Sequence, residues 1–115
     1  MTLKECYEIM KGDYDDAISK FRTDDKVKKN LDKFVGDTSF AQLEKAIEGG
    51  NAEEALKATQ NFKLACKNVA LSGLAYSVSN LSDAIKKGAL SEEAEQLFKK
   101  VKKEYSLTKA CIQML

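Results

Sequence analysis

The sequence contains no histidine, no proline and no tryptophan. Without an imidazole the chain cannot form a Ser-His-Asp or Cys-His nucleophile, a zinc site with histidine ligands, or a phosphohistidine. The chain also has no large net charge, because it contains 19 Lys+Arg and 18 Asp+Glu. This balance gives no support for a bulk nucleic-acid binder or for an acidic tail.

The length and composition are those of one globular domain. With 115 residues, 43% hydrophobic and 32% charged, the chain can build one hydrophobic core, so we predict a single domain over residues 1–115. Charged residues, including Lys4, Glu5 and Glu8, interrupt the first thirteen positions. We therefore expect no signal peptide, no membrane anchor and a cytoplasmic location.

The three cysteines, Cys6, Cys66 and Cys111, are widely spaced and form no C-x-x-C pair. An odd number at such spacing favours buried, reduced and separate thiols over a disulfide or a metal site. Cys66 lies on the seam of the long helix, and Cys111 lies one position before Ile112, a seam residue of the last helix. The two thiols can therefore be near neighbours without being bonded.

Apolar residues recur at spacings of three and four along the chain, which predicts an almost entirely helical structure. Capping patterns and glycines mark the helix boundaries. We predict two short helices that begin after Thr2 and after Asp13. Five further helices are predicted from Thr23 or Asp24 to Gly36, from Ser39 to Gly49, from Asn51 to about Ser72, from Gly73 to Lys87, and from Ser91 to the end. Capping boxes are predicted for Thr2 with Glu5 and for Ser39 with Gln42, and Asn51 with Glu54 marks the start of the long helix.

Alternating steps of four and three along the long helix, from Ala55 to Gly73, are typical of a bundle seam. Short glycine-containing connections favour antiparallel neighbours. The fold prediction is therefore an all-α, antiparallel up-and-down four-helix bundle, covered by the two short N-terminal helices. The residues expected to be buried on its seams are Phe62, Cys66, Val69, Leu81, Phe98, Val101 and Tyr105.

Two sets of charged residues have both a functional and a structural interpretation. The carboxylates at 13, 15 and 16 and at 24 and 25 do not follow the calcium-loop pattern, so helix capping is favoured, with no metal and no cofactor. The lysine pairs at 28–29, 86–87, 99–100 and 102–103 have interspersed acids and no aromatic stripe. A solvated surface is favoured for them over a nucleic-acid interface.

The outer face of the long helix mixes leucine with lysine. Helical rotation places Gln60, Lys63, Leu64 and Lys67 away from the seam, and Leu56 and Leu71 on the same outer half. This mixture is either a partner-binding patch or a set of single exposed leucines that have no function.

The run from Glu53 to Gly73 resembles the signature helix of histidine-containing phosphotransfer (HPt) domains, which reads approximately A-H-x-L-K-G and then N-x-G. The resemblance extends over nearly the whole chain, through less specific segments at 2–5, 12–14, 33–34, 39–40, 49–51 and the closing Glu-Lys-rich helix. It implies an antiparallel four-helix bundle with the acceptor position on an outward face.

Carried over by position, the acceptor histidine of the family falls on Gln60, its lysine on Lys63, its glycine on Leu64, its Asn on Asn68 and its second glycine on Ala70. An amide is a poor nucleophile, so Gln60 cannot accept a phosphoryl group by the family's mechanism. Leu64 fills the space that the glycine leaves for a docking receiver domain. The resemblance thus implies a degenerate member of the family.

The leading functional hypothesis is a phosphorelay signalling protein that does not pass on phosphate and is not an enzyme. Its partner would be a response-regulator receiver domain or a histidine kinase, and the chain itself would be a monomer. The expected docking face comprises Leu56, Gln60, Lys63, Leu64, Lys67, Asn68 and Leu71. The alternative is a small helical scaffold protein outside the phosphorelay, whose Leu56, Leu64 and Leu71 bind an unrelated partner helix.

Overall fold

The computed structural model describes residues 1–115 and is all-helical. Its seven helices are α1 (Leu3–Ile9), α2 (Tyr14–Phe21), α3 (Asp24–Val35), α4 (Ser39–Glu48), α5 (Ala52–Asn68), α6 (Ser72–Lys86) and α7 (Glu92–Gln113). None of them combines the length and the hydropathy that a bilayer span requires.

Most helices begin where the sequence predicts. Thr2 and Glu5 form a reciprocal capping box at the start of α1. At four other helices the N-cap side chain accepts a hydrogen bond from the backbone N–H three residues later, and these caps are Asp13, Thr23, Asn51 and Ser91. Since such a bond satisfies a backbone donor that the helix leaves free, short sequence patterns are enough to locate these starts.

The predicted capping box of Ser39 and Gln42 is wrong. Ser39 is the first residue of α4, and the cap position belongs to Thr38, which makes no side-chain capping bond. Asp37 takes over part of this role, because its Oδ1 accepts a hydrogen bond from the Ser39 N–H at 2.7 Å.

Helix α5 ends at Asn68, four residues before the predicted boundary. The Leu71 N–H donates to the Cys66 carbonyl at 2.9 Å and the Ala70 N–H to the Lys67 carbonyl at 3.0 Å. This is a Schellman motif, with Ala70 at a φ of 57° in the left-handed region. The chain therefore turns and enters α6, instead of continuing the seam to Gly73.

Consecutive helices from α4 to α7 are packed against each other. The connections are short, with three residues between α4 and α5, three between α5 and α6, and five between α6 and α7. Short connections between neighbouring helices favour antiparallel packing. Helix α1 packs on α2 and α7, and α3 on α2 and α7.

One core cluster of 28 buried residues holds these helices together. Five aromatic rings from four helices pack together, four of them within this cluster and Tyr105 against it. They are Phe34 (α3), Phe40 (α4), Phe62 (α5), and Phe98 and Tyr105 (α7). The Phe40 and Tyr105 rings stack with centroids 4.1 Å apart, and Phe62 lies edge-on to both, at 5.4 and 5.5 Å. The predicted burial is confirmed, with Tyr105 half-buried and the other six residues buried.

All three cysteines are free and buried, as predicted. The Cys111 thiol lies beside that of Cys6, where α1 packs on α7, and this pairing was not predicted. Burial, together with the Cys111 thiol, raises the pKa of Cys6 to about 11. Burial also raises the pKa of Cys66.

The turn between α5 and α6 is packed against the N-terminal helices. The Tyr7 hydroxyl donates to the Val69 carbonyl at 2.7 Å, and the Gly73 N–H donates to the Lys11 carbonyl at 3.0 Å. A Cβ on Gly73 would lie only 2.8 Å from that carbonyl oxygen. The approach of α6 to the end of α1 therefore requires glycine at this position.

We expect Phe62→Ala to lower the free energy of unfolding by about 3–5 kcal/mol, because it removes a ring that contacts three other rings. Gln60→Ala, two residues away on the exposed face, should change it by no more than about 0.5 kcal/mol. Urea denaturation of both variants measures the difference. A loss below about 1 kcal/mol for Phe62→Ala would contradict the core assignment.

Gly73→Ala should destabilise the protein by about 1–3 kcal/mol, because the added methyl group meets the backbone of Lys11. Gly36→Ala is the matched control, since a Cβ there has no neighbour closer than 3.7 Å. Thermal unfolding of the two variants compares them directly. Equal melting temperatures would show that the contact between α1 and α6 leaves room for a methyl group at position 73.

Candidate functional site

The candidate site is the outward face of α5. Asn51 begins the helix by accepting a hydrogen bond from the Glu54 N–H at 3.0 Å. The inward face carries the buried residues Ala55, Ala58, Thr59, Phe62 and Cys66. Since successive residues are about 100° apart, this inward set turns Gln60 and Leu64 outwards.

The structure exposes most of the predicted docking face. Gln60, Lys67 and Asn68 are exposed, and Leu64 keeps 60% of its surface in contact with solvent. Gln60 and Leu64 are one turn apart, so the amide and the apolar side chain lie side by side. This pair is the centre of the candidate site.

Lys63, a further member of the predicted face, is half-buried. Its Nζ donates to the Ser79 hydroxyl on α6 at 3.4 Å, which turns the ammonium group towards the neighbouring helix. Farther along, the Lys67 carbonyl accepts a hydrogen bond from the Lys20 Nζ at 2.7 Å. Lys20 also lies 3.3 Å from the Asp16 carboxylate. The carboxyl end of α5 is thus tied to α2.

Two members of the predicted face are placed elsewhere. Leu71 is fully buried, because α5 ends at Asn68 and the Schellman turn directs Leu71 into the core. Leu56 is half-buried and packs against the core cluster. The prediction of an exposed face with Leu56, Leu64 and Leu71 together is therefore wrong, and Leu64 is its one exposed leucine.

An open groove of about 280 Å³ runs beside Leu64, between α3 and α5. We call it the α3–α5 groove; its polar lining comprises Asn30, Lys33, Asp37, Asn61 and Asn68. Of these five residues only Asn68 was predicted as part of the site; Asn30, Lys33, Asp37 and Asn61 were not. Spacing within α5 carries no information on which face of α3 lies opposite, so only Asn61, one position after Gln60, had a local signal.

The chemistry of this face is that of a binding surface. Gln60 and Asn68 offer amide donors and acceptors, Lys67 a positive charge, and Leu64 an apolar contact. Gln60 has no nitrogen that can act as a nucleophile at neutral pH. No three side chains among the Cys, Asp and Glu residues come together as metal ligands.

The carboxylate clusters act at helix starts. Asp13 Oδ1 accepts a hydrogen bond from the Asp16 N–H at 2.9 Å, and Asp24 and Asp25 lie in the first turn of α3. The Asp24 carboxylate also accepts from the Tyr14 hydroxyl at 2.7 Å, which raises the pKa of Tyr14. Helix capping is confirmed for Asp13, whereas the other four carboxylates lie in the first turns of α2 and α3, where negative charge is favourable.

Comparison of the chain with protein-family models, with curated proteins and with solved structures finds no match in any of the three. Its function is therefore argued from the geometry of this face and from the pattern of residues along α5.

Proposed function

We propose that this protein is an HPt-like phosphorelay domain that binds a receiver domain through the outward face of α5 and does not accept phosphate. One observation carries the proposal: Gln60 is exposed at the centre of that face, one turn from the exposed Leu64, in a chain without histidine. In this proposal α4 to α7 are the four helices of the bundle, and α1 and α2 cover one end. The chain works as a cytoplasmic monomer.

The backbone at the end of α5 supports the resemblance. The second glycine of the family motif falls on Ala70, and Ala70 has a φ of 57°. Glycine is the residue that adopts this left-handed conformation at least cost. A glycine in the family pattern and a left-handed residue in this structure therefore coincide at one position.

The exposed surface also supports binding without transfer. An active phosphotransfer site needs an exposed nucleophile and free approach to it, and this face offers an amide beside a branched side chain. A receiver domain docked here would contact Leu64 as an apolar anchor, surrounded by the polar side chains of Gln60, Asn61, Lys67 and Asn68. Such a complex competes with a transferring homologue for the same receiver. A histidine kinase is the second partner for which this face is proposed.

Incubation with a phosphorylated receiver domain should transfer no label to the natural protein, because the acceptor position holds an amide. Gln60→His should restore little transfer, since Leu64 still obstructs the approach and a misplacement of about 1 Å costs about 100-fold in rate. Gln60→His with Leu64→Gly should transfer more, although the glycine costs about 1 kcal/mol of helix propensity. Label uptake by the unmodified protein would refute the proposal.

Binding is measured separately, by pull-down of purified receiver domains and of purified histidine kinases. Leu64→Asp should abolish capture, because it places a carboxylate at the apolar centre of the interface. Met114→Asp is the matched control, since Met114 is 67% exposed and lies outside this face. Capture that survives Leu64→Asp would place the interface elsewhere on the molecule.

A further inference from the structure

A second surface with exposed apolar side chains lies where α1, α6 and α7 meet. Six large hydrophobic side chains are exposed in the whole chain, and three of them line one groove of about 420 Å³ where α1, α6 and α7 meet. They are Ile9, Tyr76 and Leu107, which are 42%, 68% and 50% exposed. We call this the α6–α7 groove. Single exposed apolar residues are ordinary, but half of the set in one concave site marks an interaction surface.

The groove has the length of a short helix. Helix α7 lines it with residues 100, 103, 104, 107 and 108, a stripe that follows the i, i+3, i+4, i+7 spacing of one helical face. From residue 100 to residue 108 the helix rises about 12 Å, or roughly two turns. Helix α6 supplies the opposite wall through Gly73, Tyr76 and Ser77. A groove between two helices with anchors at this spacing suits a third helix laid along it.

The charges on the groove are positive. Lys11, Lys100 and Lys103 line it, and Glu104 is its one acidic residue. The Glu104 Oε1 accepts a hydrogen bond from the Ser77 hydroxyl at 2.7 Å, so it is directed at α6. On the other side of Tyr76, a smaller groove adds Lys63 and Lys67. The two grooves that share the exposed Tyr76 side chain therefore contain five lysines between them.

We propose that the α6–α7 groove binds an acidic amphipathic helix of a partner protein. The apolar side chains of that helix pack on Ile9, Tyr76 and Leu107, and its carboxylates face Lys11, Lys100 and Lys103. Charge complementarity selects this occupant, since a basic or neutral helix would leave the lysines unpaired. Its anchors Ile9 and Leu107 lie outside the face proposed for the receiver domain, and the two surfaces meet at Tyr76, which also lines a smaller groove with Lys63 and Lys67.

A second copy of this chain does not supply such a helix. The exposed large hydrophobics outside the groove are Met1, Leu64 and Met114. Met1 precedes α1, and neither Leu64 nor Met114 has a carboxylate three or four residues away. No exposed apolar side chain beyond the groove therefore lies on an acidic helix face, and the occupant is a different protein.

The test uses three fluorescent peptides of about sixteen residues and the full chain. The first has leucines at i, i+3, i+4 and i+7 with glutamates between them, the second has lysines in place of the glutamates, and the third has the acidic composition in scrambled order. Fluorescence anisotropy should show saturable binding of the first peptide, at least about tenfold tighter than either control. This binding should weaken with added salt.

Variants locate the site. Tyr76→Ser and Leu107→Ser should each weaken binding of the acidic peptide by about tenfold or more, as should Lys103→Glu. Met114→Ser and Lys99→Glu are the matched controls, because both side chains are exposed and neither lines the groove. Receiver capture should be unchanged in Leu107→Ser, because Leu107 lines the α6–α7 groove and not the smaller groove with Lys63 and Lys67. This variant separates the present proposal from the preceding one.

Several results would overturn the assignment. The proposal is wrong if the acidic peptide does not bind, or if it binds no more tightly than the two control peptides. It is also wrong if Tyr76→Ser leaves the binding of the acidic peptide unchanged. Sedimentation of the chain as a dimer that Leu107→Ser dissociates would make the groove a contact between copies. Tyr76-dependent binding to phosphatidylserine vesicles without peptide binding would make it a membrane surface.

Discussion

The packing of Phe62 against the rings of Phe34, Phe40 and Tyr105 is the interaction on which the rest of the structure depends. It joins α3, α4, α5 and α7 at one point, with ring centroids 5.4–6.0 Å from that of Phe62. Because a helix turns about 100° per residue, a ring fixed inward at position 62 directs positions 60 and 64 outward. The exposure of Gln60 and Leu64 is thus a consequence of the core.

The end of α5 is the second constraint, and it divides the apolar residues between core and surface. The left-handed Ala70 reverses the chain and buries Leu71, so that α6 begins beside Lys11. With Leu71 in the core, the outer face of α5 keeps a single exposed leucine among polar side chains. Such a face favours a small polar interface with one apolar anchor over a broad helix-docking groove. The groove with several exposed apolar side chains lies instead between α6 and α7.

Local signals in the sequence were enough to predict the helices and most of their starts. Thr2, Asp13, Asn51 and Ser91 cap through bonds that span three residues, so the information lies within one helical turn. The end of α5 was not predictable in the same way, because alanine at a left-handed position carries none of the signal that glycine does. The seam spacing also continued through Gly73 and concealed the turn.

Contacts between distant segments of the chain could not be predicted from the sequence. Cys111 lies beside Cys6 because α1 packs on α7, and the residue spacing within α7 does not indicate which helix packs against it. The site shows the same division. The outward position of Gln60 follows from periodicity, whereas the α3–α5 groove depends on the packing of two helices. Tyr76 did have a local signal, since it lies two residues from Leu74 and so off the inward seam of α6.

The most direct test of the central claim is amide chemical-shift mapping of the full chain during titration with a purified receiver domain. The claim predicts that the perturbed amides cluster on the outward face of α5, around Gln60, Leu64 and Lys67, and along the α3–α5 groove. Amides of the α6–α7 groove, such as those of Ser77 and Leu107, should remain unshifted. Titration with a panel of receiver domains that perturbs no amide on α5 would contradict the account.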